Sequence, residues 1–419
     1  MFKKSFIVIL LIASVFSAGA SELLIPMDLS QTNHLKAYGI AYWVLKQNAK
    51  VDWLLNYRGG SFAVPYASAL ENECKIRGVS YEVIADGQYG AILAEIADPE
   101  KNMDLMKLEK APKIAVYTPT SKQPWDDAVT LVLTYAEIPY DKIFDDEVLD
   151  GKLNEYDWLH LHHEDFTGQY GKFYAAYSTA AWYQNDVADQ ESRAKRRGYA
   201  KVSRMKLAVC HMIRDFVFNG GFMFAMCSAP DSYDIALAAE NTDICDVMFD
   251  HDPQDPAAQS KLDYSQCFAF ENFHINTNPM FYAKSDIDVT FGRTVPKDLD
   301  YFSLFDFSAK WDPVPTMLCQ DHTKTIKGFM GQTTAFNKKY IKSSVLIMGQ
   351  NKSANEARYI HGEYGKGLWT WYGGHDPEDF EHHVGDPPTN LDLHPNSPGY
   401  RLILNNVLFP AARKKKQKT

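Results

Sequence analysis

Asn219-Gly220-Gly221-Phe222-Met223-Phe224-Ala225-Met226-Cys227-Ser228-Ala229-Pro230-Asp231 reads as a helix end, a buried strand and a sharp turn that presents one cysteine. Gly220-Gly221 closes the amphipathic run before it, because glycine accepts the left-handed backbone that ends helices. The wholly apolar Phe222 to Met226 suits a central strand covered on both faces. Cys227 then falls where strand gives way to helix, with Asp231 or Ser232 placed to cap that helix. A thiol at such a turn lies near the positive end of a helix dipole, which favours the thiolate. The plainer reading is a small buried cysteine.

Working outward, the run before this strand, residues 203–219, carries Met205, Val209, Met212, Ile213, Phe216 and Val217 on one helical face. Further upstream, residues 113–118 read as a strand, 125–136 as a helix and 140–144 as a strand. Residues 156–165 read as a strand ending in the polar cluster His160-Leu161-His162-His163-Glu164-Asp165. Ligands of open parallel sheets gather at the carboxyl ends of strands, so this cluster and Cys227 are expected on one rim. Residues 184–201 are polar and charged, as in a surface excursion.

Downstream, residues 241–295 are acidic and irregular. Asp250-His251-Asp252-Pro253-Gln254-Asp255 lacks the central glycine and distal glutamate of a calcium loop. Residues 344–348 read as a strand. Tyr364-Gly365-Lys366-Gly367 is a glycine turn feeding the aromatic strand 368–372, which ends in Gly373-Gly374-His375-Asp376-Pro377-Glu378-Asp379. A last helix over 397–409 docks through Leu402, Ile403, Val407 and Leu408.

Residues 22–110 alternate strand and helix patterns, with strands at 23–27, 51–55 and 79–84. Read as βαβ units, these imply parallel strands under helices. Arg58-Gly59-Gly60-Ser61 between them has neither dinucleotide-fingerprint nor phosphate-loop spacing and reads as a turn. Before this region, Lys3-Lys4, the apolar run 6–16 and the small residues Ala18-Gly19-Ala20 form the three parts of a secretory signal peptide. The expected mature chain starts at Ser21 and is exported, periplasmic or secreted, with no membrane span, since the apolar run is too short to cross a bilayer. The expected domains are 1–20 signal peptide, 21–110 an N-terminal βα region, 111–412 the main domain and 413–419 a basic tail.

The 419 residues carry a formal charge of −10, which excludes the electrostatic footprint of a nucleic-acid binder. Aromatic residues make up 13%, enough for a large core and for stacking surfaces. Six cysteines, Cys74, Cys210, Cys227, Cys245, Cys267 and Cys319, have no paired zinc-type spacing and are too sparse for a disulfide scaffold.

The strand at 113–118, the helix-to-strand passage 215–227, and Tyr364-Gly365-Lys366-Gly367 leading to Gly374-His375 together resemble the class I glutamine amidotransferase-like superfamily, in its trehalose-utilisation-type branch. The resemblance implies an α/β fold: a flavodoxin-like parallel sheet flanked by helices, with the N-terminal βα region added. It also implies Cys227 as nucleophile, His375 as base and Glu378 as the orienting carboxylate. His162, His163, Glu164, Asp165 and Asp376 would then line the substrate site. This sequence departs from the amidotransferase pattern in three places. Ala225 and Ala229 replace the two elbow glycines, two residues rather than one separate His375 from Glu378, and no glycine-rich oxyanion loop is present.

A rival reading takes no cofactor from the resemblance but assembles a divalent metal from His160, His162, His163, His375, Asp376, Glu378, His382 and His383. Three further stretches, residues 25–28, 53–61 and 160–165, are similar to exported bacterial chains labelled asparagine synthetase B. That activity needs an amino-terminal cysteine and a Ser-Gly-Gly-x-Asp-Ser loop, and the chain has neither. The functional expectation is therefore an exported Cys/His hydrolase or transferase acting on a small amide or sugar-derived substrate. The alternatives are a silent small-molecule or carbohydrate-binding protein, or a metal-dependent hydrolase.

Overall fold

The structure is a computed structural model that describes residues 20–413 except 120, 122 and 382. The leader read over 1–20 lies outside the described residues but for Ala20, as do His382 and all of the basic tail after Arg413. Among the described residues fifteen strands form two sheets.

The first sheet contains β1 (Ala20–Ile25), β2 (Val51–Leu55), β3 (Ser61–Pro65), β4 (Glu82–Ala85) and β5 (Asp104–Leu108), in the order β4-β1-β3-β2-β5. Every neighbouring pair in it is antiparallel, which corrects the expected parallel N-terminal region. The cause is local. Asn56, Arg58, Gly59 and Gly60 all adopt positive φ, so the Arg58-Gly59-Gly60-Ser61 segment reverses the chain into a hairpin between β2 and β3. β3 then inserts between β1 and β2, and the helix His34–Lys46 crosses over a strand that the βαβ reading left out.

The second sheet has ten strands: β6 (Ile114–Tyr117), β7 (Asp141–Ile143), β8 (Trp158–Leu161), β9 (Phe222–Met226), β10 (Tyr301–Leu304), β11 (Thr325–Lys327), β12 (Phe336–Asn337), β13 (Leu346–Asn351), β14 (Glu356–Tyr364) and β15 (Gly367–Tyr372). Its order is β11-β10-β13-β14-β15-β9-β8-β6-β7, with β12 on β14. β7, β6, β8, β9 and β15 run parallel. From β15 outward every pairing is antiparallel. The sheet is therefore mixed, and the expected flavodoxin-like parallel sheet is corrected. The reversal begins at Tyr364-Gly365-Lys366-Gly367, a two-residue hairpin in which Tyr364 pairs with Gly367 and Gly365 takes φ 62°.

β9 is buried at all five positions between β8 and β15. Its alternate side chains serve two cores, as a strand covered on both faces must. Phe222, Phe224 and Met226 pack on the side shared with the helices His34–Lys46, Ala128–Tyr135 and Pro398–Leu408 and with the inner face of the first sheet. Met223 and Ala225 pack under the helices Val202–Phe218 and Ala229–Ala238. Among the described residues no helix is long and apolar enough to cross a membrane.

Candidate functional site

The carboxyl ends of β6, β8, β9 and β15 lie side by side and deliver the chemistry-bearing residues. β8 runs directly into His162 and His163, β9 into Cys227, and β15 through Gly373-Gly374 into His375. The segment after β6 leads to Asp126 and Asp127, and Asp127 caps the helix Ala128–Tyr135 by accepting the Thr130 N–H at 2.9 Å.

Four imidazoles crowd this rim. Ring centroids lie 4.6 Å apart for His162–His375, 5.0 Å for His162–His163, 6.0 Å for His163–His375 and 5.3 Å for His160–His162. One ligating nitrogen from each of His162, His163 and His375 falls within 4.8 Å of the other two. Asp127 Oδ1 lies 3.3 Å from His162 Nδ1, Asp127 Oδ2 3.3 Å from His160 Nε2, and Asp126 Oδ1 3.5 Å from His375 Nε2. Burial and the neighbouring His162 hold His163 well below the usual imidazole range, and burial lowers His160 too. The His160 and His162 rings outweigh the cost of burial at Asp127 and keep its carboxyl well below the usual range. A divalent cation at this place would need imidazoles offering a bare nitrogen, with a carboxylate close by. Both nitrogens of His162, Nε2 of His160 and Nδ1 of His163 are buried and have no hydrogen-bond partner among the described residues. Orphaned buried nitrogens of this kind need an explanation.

Cys227 turns at φ 55°, in the left-handed region. Its N–H donates to Gly374 O at 3.0 Å, and its Sγ accepts the Gln332 N–H at 3.4 Å. The Ser228 and Thr333 amides also favour the thiolate, yet burial dominates and pushes the thiol up to about 11. The turn Met330–Thr334 lies against the end of β15: Met330 O accepts the His375 N–H, and a Cβ on Gly331 would meet the His375 nitrogen at 2.6 Å. Among the described residues no hydrogen bond joins Cys227 Sγ to the His375 ring.

Glu378, Asp376 and Asp165 turn to other partners, whereas Glu164 Oε1 stays 4.0 Å from His163 Nε2. Glu378 Oε2 lies 3.2 Å from His394 Nδ1 and its carboxylate also bonds Ser397, so the acid beside His375 is Asp126. Asp376 accepts the Tyr400 hydroxyl at 2.6 Å and the Glu378 N–H at 2.8 Å. Asp165 accepts the N–H groups of Thr167, Gln169 and Gly171 and so pins a loop. Burial raises Glu164 to about 8, which leaves it protonated at neutral pH. His383 is exposed beside Glu381.

Asp126 and Asp127 are the residues that sequence reasoning missed. Starting the helix at Trp125 hid them in its first turn, whereas the cap preference of aspartate marks Asp127 as the residue before it. A separate acidic group, Asp243, Cys245 and Asp250, is filled by the Lys201 ammonium, 3.0 Å from Asp250 and 2.9 Å from Asp252.

No family model matches the chain, and no curated protein matches it. Two cytoplasmic proteins from Salmonella typhimurium are similar structures, at 12% and 11% identity with TM-scores of 0.34 and 0.37. Each match covers 72% of this chain and 100% of the other. A beta-galactosidase from Bacillus circulans sp. alkalophilus matches at 10% identity and TM-score 0.27, over 63% of this chain and 29% of its own. Likenesses of this size assign neither a family nor an activity to the chain.

Proposed function

We propose that this chain is an exported metal-dependent hydrolase acting on a small polar substrate, with a zinc-like divalent ion held by His162, His163 and His375. The observation that carries this reading is the convergence of three imidazole nitrogens within 4.8 Å of one another at the strand ends. Three protein ligands with a fourth position left to water is the arrangement of catalytic zinc sites. A metal so held would supply Lewis-acid chemistry, activating water near neutral pH and polarising a carbonyl or similar group. The chain's own part is to hold the three rings in a buried setting and to present substrate at the rim.

Titration of the metal-free protein with cobalt(II) tests this. One equivalent bound, with the visible absorption of a four-coordinate nitrogen-ligated ion, is expected for the wild type. His162→Ala and His163→Ala should each lose it. A wild-type protein that takes up no cobalt or zinc overturns the reading.

A thiol-based hydrolase, as the amidotransferase-like resemblance implies, is favoured by one observation: the left-handed backbone that turns Cys227 into a ring of amide donors. Under that reading Asp126, not Glu378, orients His375. Once turnover of any small amide or ester is found, Cys227→Ser and a chelator separate the two. Loss with the chelator and survival of Cys227→Ser support the metal.

A further inference from the structure

We infer that Asp127 is a positioning residue that fixes the His162 ring with its proton on Nδ1 and its Nε2 lone pair toward the metal. This rests on the metal reading above but concerns a residue outside the ligand set. Asp127 is held from two sides. Its backbone ends the segment after β6, and its Oδ1 is tied to the Thr130 N–H at 2.9 Å as a helix cap. From that fixed place the same oxygen lies 3.3 Å from His162 Nδ1, and Oδ2 lies 3.3 Å from His160 Nε2.

An ionised carboxylate only accepts, so the ring nitrogen facing it is the one that carries hydrogen. A neutral imidazole has a single N–H, and placing it on Nδ1 leaves Nε2 as a bare donor to a cation. Both ring nitrogens of His162 are buried without a hydrogen bond among the described residues, and since Nδ1 is the one 3.3 Å from the carboxylate, Nε2 is that atom. His160 is the buttress on the far side of the carboxylate: its Nδ1 faces Phe224 O at 3.3 Å and its ring stacks on Trp158 and Phe224. Carboxylates in this relation to a ligating histidine set its tautomer and raise its basicity, and their loss typically costs ~10–100-fold in metal affinity.

Asp127→Ser is the informative variant. A serine keeps the helix cap, yet it is too short to reach either ring. Competition against a chromophoric chelator should show cobalt(II) held about 10–100-fold more weakly than in wild type, with the unfolding temperature little changed. In the metal-free wild type, nitrogen NMR of 15N-histidine-labelled protein should report His162 as the Nδ1–H tautomer, and Asp127→Ser should shift the ring toward a mixture.

Cobalt affinity of Asp127→Ser within twofold of wild type overturns the inference while leaving the metal reading intact. A wild type that binds no cobalt removes the metal reading, and the tautomer measurement then still decides the role of Asp127. His162 found with its proton on Nε2 in the wild type overturns the inference on its own, even if the serine variant fails to fold.

Discussion

Cys227 pays for its position in backbone energy. A non-glycine residue at φ 55° carries a cost of roughly 1–3 kcal/mol that only its surroundings can enforce. Two truncations separate that strain from the thiol's contacts, because Cys227→Ala and Cys227→Gly lose the Gln332 contact alike. The glycine variant should be the more stable of the two by about 1 kcal/mol in urea unfolding; an alanine variant as stable as the glycine one would show the backbone unstrained. Burial and a thiol near 11 also predict that iodoacetamide at pH 7 labels Cys227 in the native protein no faster than Cys210, which lies inside the helix Val202–Phe218. Much faster labelling would restore the nucleophile. At this scale the sequence was partly legible. His162, His163, His375 and Cys227 stand out as polar residues at the ends of apolar runs. What draws Glu378 and Asp376 away from the rim is tertiary, His394 and Tyr400, whereas Asp165 is taken by amide donors two to six residues along its own loop.

At the scale of elements, helix and strand identities were readable where apolar periodicity was strong, as in 203–219 and 222–226, but strand direction was not. Direction depends on which strand inserts between two others, and neither β3 nor β5 was read as a strand at all. The short positive-φ run at Asn56–Gly60, which reverses the chain, resembles any glycine turn. The helix His34–Lys46 shows how such an element is anchored. His34 Nε2 faces Met27 O at 3.0 Å, Nδ1 faces Asn396 Oδ1 at 2.9 Å, and the ring stacks on His322 at 4.1 Å. Burial, then Arg401 and His322, push it down to about 4. The folded protein keeps this ring neutral, while the unfolded chain protonates it below about 6.5. Between those values the unfolded state binds the extra proton, so stability rises with pH from about 4 to 6.5 and levels off above. That limb amounts to about 3 kcal/mol for one group. His34→Gln should flatten the urea-unfolding free energy over this window by nearly one proton's slope; an unchanged slope would place the titration elsewhere.

At the scale of the whole molecule, the two sheets share one core. Leu23, Trp53 and Phe62 of the first sheet pack in the same cluster as Phe224 and Tyr372 of the second, through the helices between them. Arg401, fully buried on the last helix, ties that layer together by donating to the Tyr38 hydroxyl at 2.9 Å and to the carbonyls of Met27 and Gly59. Unfolding should accordingly be a single transition by circular dichroism and fluorescence. Arg401→Met should lower stability by about 3–5 kcal/mol, since it removes the guanidinium 3.9 Å from the buried Asp321, leaving that carboxylate to His322, and strips the Met27 and Gly59 carbonyls of their donor. Two separate transitions in the wild type would deny the shared core. Residue 110 falls between the last strand of the first sheet and the first strand of the second, and one cluster spans both.

Trp125 gives the rim an optical consequence. Its indole lies 5.2 Å from the His163 ring and 5.2 Å from Trp182, while Trp53 sits in the other sheet. Copper(II) lodged among the imidazoles would stand beside the indoles of Trp125 and Trp158, the latter 5.9 Å from the His160 ring, while Trp53 belongs to the other sheet. Emission should therefore fall in a stepwise fraction, saturating at one equivalent, and the light that remains should report the untouched interior.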